Sequence, residues 1–113
     1  MSGGEERVVL YDSNDGGERV TVECRVVPGG MAVERLCDGE LARFCYDESP
    51  HVDGLMVPEG ELAPLLDRFG VEGARQLAEV LRVRCAGEDA LEQVRDLLAE
   101  AGVSHVPMTG SAA

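Results

Sequence analysis

Residues Glu61 to Val103 read ELAPLLDRFG VEGARQLAEV LRVRCAGEDA LEQVRDLLAE AGV, and how this stretch is read decides the fold. Leu62, Leu65, Leu66 and Phe69 fall at i, i+3, i+4 and i+7, the apolar stripe of one helix. Pro64 suits that helix only in its first turn, where N–H groups lack intrahelical partners anyway, and Gly70 supplies the stop. At the other end, Leu91, Val94, Leu98 and Ala101 form a second stripe with Leu97 beside it. Asp89 is the expected N-cap, with Glu92 three residues on as in a capping box. Gly102 ends the helix, and Val103 can fold back over its last turn. The middle has two readings. Ala74, Leu77, Ala78, Leu81 and Cys85 make a helical stripe, yet Leu81 to Cys85 also alternates with period 2, as a strand would. Helix through about Cys85 is favoured. A strand there would make Leu81 to Met108 a strand–helix–strand unit.

Upstream of this stretch the pattern is that of strands. Arg19 to Val26 alternates cleanly, with Val20, Val22, Cys24 and Val26 on one side and Arg19, Thr21, Glu23 and Arg25 on the other. This is the signature of a strand wet on one face, and so of an antiparallel sheet. Arg7 to Tyr11 is a shorter apolar run, separated from it by the turn-forming Asp12 to Gly17. Pro28-Gly29-Gly30 makes the next turn. Met31 to Leu36 and Leu41 to Tyr46 read as two further strands joined through Asp38-Gly39, a hairpin signal. A polar loop, Asp47 to His51, leads to Leu55-Met56-Val57, the fifth candidate. The expected fold is α+β: an antiparallel meander of four to five strands with two to three helices on one face. Ser104 to Met108 adds a C-terminal edge strand, since Pro107 is compatible only with an edge. A single domain is expected, ordered over about residues 6–108, with frayed ends at 1–5 and 109–113.

Composition narrows the function classes. The chain of 113 residues is 44% hydrophobic and 28% charged, with a formal net charge of −12. So acidic a chain is repelled by phosphate backbones and anionic lipid, so neither nucleic acid nor a membrane surface is an expected partner. No apolar run approaches the ~20 residues a membrane helix needs, and the first residues do not resemble a signal peptide. A cytoplasmic location is the expectation. Every basic residue other than histidine is an arginine, as a GC-rich coding sequence produces, so arginine use is not read as a recognition signature. Cys24, Cys37, Cys45 and Cys85 form no C-x-x-C pair and are expected to be reduced, buried thiols.

Two groups of side chains are candidates for chemistry or binding. The first is the polar stretch around Asp47, Glu48, His51 and Asp53, whose carboxylates and imidazole have the chemistry to hold a cation or to poise His51 as a base, even beside Cys45. No metal-ligand spacing occurs there, and a solvated loop explains the composition. The second is Glu88, Glu92, Asp96 and Glu100, spaced at i+4 along the last helix. Like charges at this spacing cost a few tenths of a kcal/mol per pair, and the helix dipole opposes the last two. Arg95 offers only partial relief. Asp12 to Glu23 partly fits a calcium loop, but Gly16 stands where an oxygen ligand belongs and both flanks read as strands. No phosphate-binding glycine loop is present.

No metal, cofactor or catalytic constellation is therefore expected. The function expected from sequence is a non-catalytic protein-binding or regulatory module, its partner another protein and a basic one in the charge-steered case. An immunity- or antitoxin-type inhibitor of a basic toxin is the sharper version of this. The alternatives are an enzyme or metal-binding protein using the Asp47–Asp53 loop, and an oligomeric module joined through a sheet edge or the Leu97 flank.

Overall fold

The computed structural model describes residues 6–46 and 51–111. Five strands form one open antiparallel sheet in the order β1-β2-β3-β4-β5: Glu6–Asp15, Glu18–Val27, Gly30–Asp38, His51–Pro58 and Val106–Ser111. Each strand thus pairs with its neighbour in sequence, and the fold is an α+β meander. A short helix, α1 (Glu40–Tyr46), turns the chain between β3 and β4. After a single 3-10 turn at Glu59–Glu61, the helices α2 (Ala63–Phe69), α3 (Ala74–Arg84) and α4 (Ala90–Ala101) pack together on one face of the sheet.

Alternation along the strands decides which face is covered. Val22, Cys24, Met31, Val33, Leu55 and Val57 point to the helices and are fully shielded from solvent. They meet Leu65, Leu77, Leu81, Leu91, Val94 and Leu98 from the helical layer in one core. A β-bulge between Val9 and Tyr11 places an extra residue, Leu10, in β1. It allows Leu10 and Tyr11 both to contribute to the core side, while Val9 stays exposed.

The ambiguous middle of the helical stretch is helix through Arg84. Val83 is 74% exposed whereas Leu81 and Cys85 are buried, the reverse of the shared side a period-2 strand requires. Gly70 and Gly102 both take the left-handed conformation as helix stops. The Val103 N–H returns to the Leu98 carbonyl at 2.9 Å, closing the last turn as expected.

Four expectations are corrected. Leu41 to Tyr46 is not a strand, because β3 pairs directly with β4 and Asp38-Gly39 leads into α1 instead of a hairpin. Glu40 in the first turn and Arg43 in the last favour the helix through its dipole, and the Glu40 N–H donates to Glu18 Oε2 at 2.9 Å. Asp89 does not cap α4 with its side chain. Its backbone (φ −98°, ψ 22°) is not extended as an N-cap's must be, and Oδ1 instead accepts from Gln93 Nε2 at 2.8 Å. Glu92 pairs with Arg95 and completes no capping box. His51 and Asp53 lie within β4, not in a loop; Asp47 and Glu48 fall outside the described residues. Finally, β5 carries the ordered chain through Ser111, paired with His51, where fraying was expected from Thr109.

Candidate functional site

The helix-bearing face of the sheet is apolar for only part of its length. Across β2, β3 and β4 the register sets Val26, Met31 and Val57 in one row and Cys24, Val33 and Leu55 in the next. The following rows are Val22, Arg35 and Asp53, then Val20, Cys37 and His51. Period-2 alternation therefore carries arginine, cysteine, aspartate and histidine onto the inward side, under the first turns of α4.

Arg95 connects the two layers at this point. Its Nη2 lies 3.4 Å from Asp53 Oδ1 and its Nη1 lies 3.0 Å from Glu92 Oε1. The Arg95 and Asp53 side chains are 32% and 34% exposed, so this bridge is half-shielded and worth more than a rim pair of the same length. It joins the two groups of residues singled out in the sequence, one from the stretch around His51 and one from the acidic stripe.

Beside the bridge is a cleft of about 270 Å³ lined by Arg35, Glu88, Asp89, Leu91 and Glu92. Arg35 lines it, and its Nε is buried without a hydrogen-bond partner among the described residues. Among the described residues no carboxylate forms an ion pair with Arg35, and none of the cations pairs with Glu88. An unmet buried donor costs on the order of 1–3 kcal/mol, so the fold tolerates a penalty at this position.

The rest of the stripe divides. Glu100 meets Arg68 of α2 at 3.6 Å, an exposed pair that gives this acid a modest place in the folded structure. Asp96 is exposed and has no partner among the described residues. Glu88 and Asp96 are thus the acids of the stripe that the fold leaves unmatched.

Comparison with protein-family models, curated proteins and solved structures returns no match. The site's chemistry must therefore be read from its residues alone.

Cys37 and His51 are cross-strand partners on the inward side, His51 being 8% exposed. The arrangement invites comparison with a thiol–imidazole pair, but the thiol is poised the wrong way for attack. Burial pushes its pKa up, with the charges of Asp53 and Glu88 and the nearby Cys45 adding to this and only Arg35 opposing it. A nucleophilic cysteine needs the reverse shift. All four cysteines are free thiols, with Cys24 and Cys85 buried, Cys37 half-buried and Cys45 exposed, so the expected burial applies to Cys24 and Cys85 only. No group of three or more acidic, histidine or cysteine side chains suited to a metal ion occurs among the described residues. Nor is any described helix long and apolar enough to cross a membrane.

Sequence reasoning identified Asp53, His51, Glu88, Glu92 and Asp96 but passed over Arg35 and Cys37. The signal was present: in Met31-Ala32-Val33-Glu34-Arg35-Leu36-Cys37, Arg35 shares parity with the apolar Met31 and Val33. An arginine on the inward side of a strand marks where a core stops and a polar site begins.

Proposed function

We propose that this protein is a non-catalytic binding module whose α4 edge and adjoining cleft engage a basic segment of another protein. The observation that carries the reading is one place where opposite charges stay unmatched among the described residues: Arg35, which lines the cleft and whose buried Nε–H has no acceptor, and Glu88 in the turn before α4 with Asp96 on the helix itself. A peptide segment offers what is missing, main-chain carbonyls for the guanidinium side of Arg35 that lines the cleft and arginine or lysine side chains to meet Glu88 and Asp96. Glu88 stands in the turn that precedes α4, and Asp96 lies six residues, about 9 Å of helical rise, beyond Ala90. The net charge of −12 adds long-range attraction for such a partner and speeds encounter at low salt.

The test is titration of the isotopically labelled protein with a short arginine-containing peptide, followed by amide and Arg35 Nε–H shifts. Perturbations concentrated at Arg35, Glu88, Glu92 and Asp96, weakened by salt and lost in a Glu88→Gln/Asp96→Asn variant, are expected. Shifts spread evenly over all acidic positions, or unchanged affinity in the double variant, would contradict the proposal.

A further inference from the structure

The face of the sheet opposite α2, α3 and α4 carries a second surface, distinct from the cleft. Its residues follow from the register: Arg7, Arg25, Ala32, Met56 and Val106 in one row, then Val9, Glu23, Glu34, Gly54 and Met108 in the next. The β1–β2 half is charged and the β4–β5 half is apolar. The molecule's smallest extent is 23 Å, room for one sheet and one helical layer only. Val106 is 55% exposed and Val9 47%, while Met56 and Met108 are partly exposed.

We infer that this open face pairs with the same face of a second copy of the chain. Three observations select that occupant. First, the face is close to charge balance in an otherwise acidic protein, with Arg7, Arg19 and Arg25 against Asp12, Glu23, Glu34 and Asp38. Arg7 meets Glu23 at 3.1 Å, Arg25 meets Glu34 at 2.7 Å and Arg19 meets Asp12 at 3.5 Å, so each of its arginines is matched by a carboxylate. Two copies bearing −12 each repel through their helical sides far more than through this side. Second, the area is sufficient. Five strands about 4.8 Å apart and eight residues of about 3.3 Å rise give roughly 600 Å² per copy, or about 1,200 Å² in total, the lower end of stable interfaces. Third, the edges are unsuited to the alternative of sheet extension. The bulge at Leu10 distorts β1, and Pro107 removes a donor from β5. Face-to-face packing is what remains, with the apolar β4–β5 halves of the two copies forming the centre of the contact.

The experiment is sedimentation of the full chain across micromolar to millimolar concentrations, for wild type, Met56→Glu and Val106→Arg. A reversible dimer is expected for wild type, tightening as salt screens the net repulsion, whereas binding of a basic peptide at the cleft weakens with salt. Each substitution is expected to weaken the dimer roughly a hundredfold by placing an unpaired charge in an apolar contact. Val106→Arg lowers the net negative charge, so its effect cannot come from added repulsion, and its exposed position leaves the monomer fold unaltered even if Met56→Glu fails to fold. A wild type that stays monomeric throughout overturns the inference. So does a dimer that survives Val106→Arg, because an edge or the helical side would then be holding it.

Discussion

Replacing Arg35 by methionine is expected to make the protein more stable, an unusual direction for an inward-facing residue. The side chain's Nε is buried with no acceptor, and removing an unmet donor recovers on the order of 1–3 kcal/mol. Methionine keeps a long, adaptable apolar stem against Leu91, so little packing is lost. What disappears is the guanidinium's attraction to the carboxylates around the cleft. None of those described lies within ion-pair distance, and this contribution is held below about 1 kcal/mol by exposure to solvent. The balance is a gain of about 1 kcal/mol, which for a domain of this size corresponds to a rise in Tm of about 4 °C. Urea denaturation is the better assay, because a higher midpoint at unchanged slope isolates stability from a change in compactness. Peptide binding at the cleft should fall in the same variant. Together the two results make Arg35 a residue whose cost to the fold serves the site. A loss of 1 kcal/mol or more would refute this reasoning and make Arg35 a tie between β3 and α4.

Two further expectations concern the sheet. Gly54→Ala should destabilise the protein by about 1–3 kcal/mol in thermal denaturation, because a Cβ there runs into the Val33 carbonyl and the Glu34 backbone; a shift in Tm within error would show that β3 and β4 can separate at this point. The Cys24 thiol is pushed up by burial from an ordinary 9.0 to about 12, so the folded state holds its proton after the unfolded chain has lost it. Stability is fully present below pH 9 and falls from there toward pH 12 by up to about 1.4 kcal/mol per pH unit. Cys24→Ala should flatten that slope in denaturant melts taken at rising pH, and an unchanged slope assigns alkaline unfolding to other groups.

The helical layer was legible because its stripes keep helical spacing and because α2 and α4 end at the glycines that their left-handed stops require. Even the contested Leu81 to Cys85 yields to a physical criterion, since only a helix can expose Val83 while burying both neighbours at ±2. The failures were local. Leu41 to Tyr46 has strand-like composition, and its helix follows from β3 pairing with β4, a contact that no short window contains. His51 and Asp53 read as loop because polar side chains surround them, whereas Gly54 is a strand residue where a Cβ would run into the β3 backbone. Half the site was visible as carboxylates. The other half, Arg35, required knowing that its parity matters more than its polarity. Asp89 and Glu92 matched a capping pattern, but Gln93 and Arg95 offered their side chains better partners.

The position of β5 has a consequence for the order in which the molecule assembles. β1 to β3 are joined by tight turns and β4 follows after α1, so pairing among these four strands closes short loops. β5 can reach β4 only after the whole segment between Pro58 and Val106, which contains α2, α3 and α4, has been brought round. For a flexible chain, closing a loop of ~50 residues in place of a two-residue turn costs about 3 kcal/mol more. Packing of the helices shortens that loop beforehand, so β5 docks last and is the first strand to leave. Val106 and Met108 ride on it. The apolar half of the open face is therefore completed only in molecules whose helical layer is already in place, and partly folded chains do not present the whole of the surface proposed for pairing.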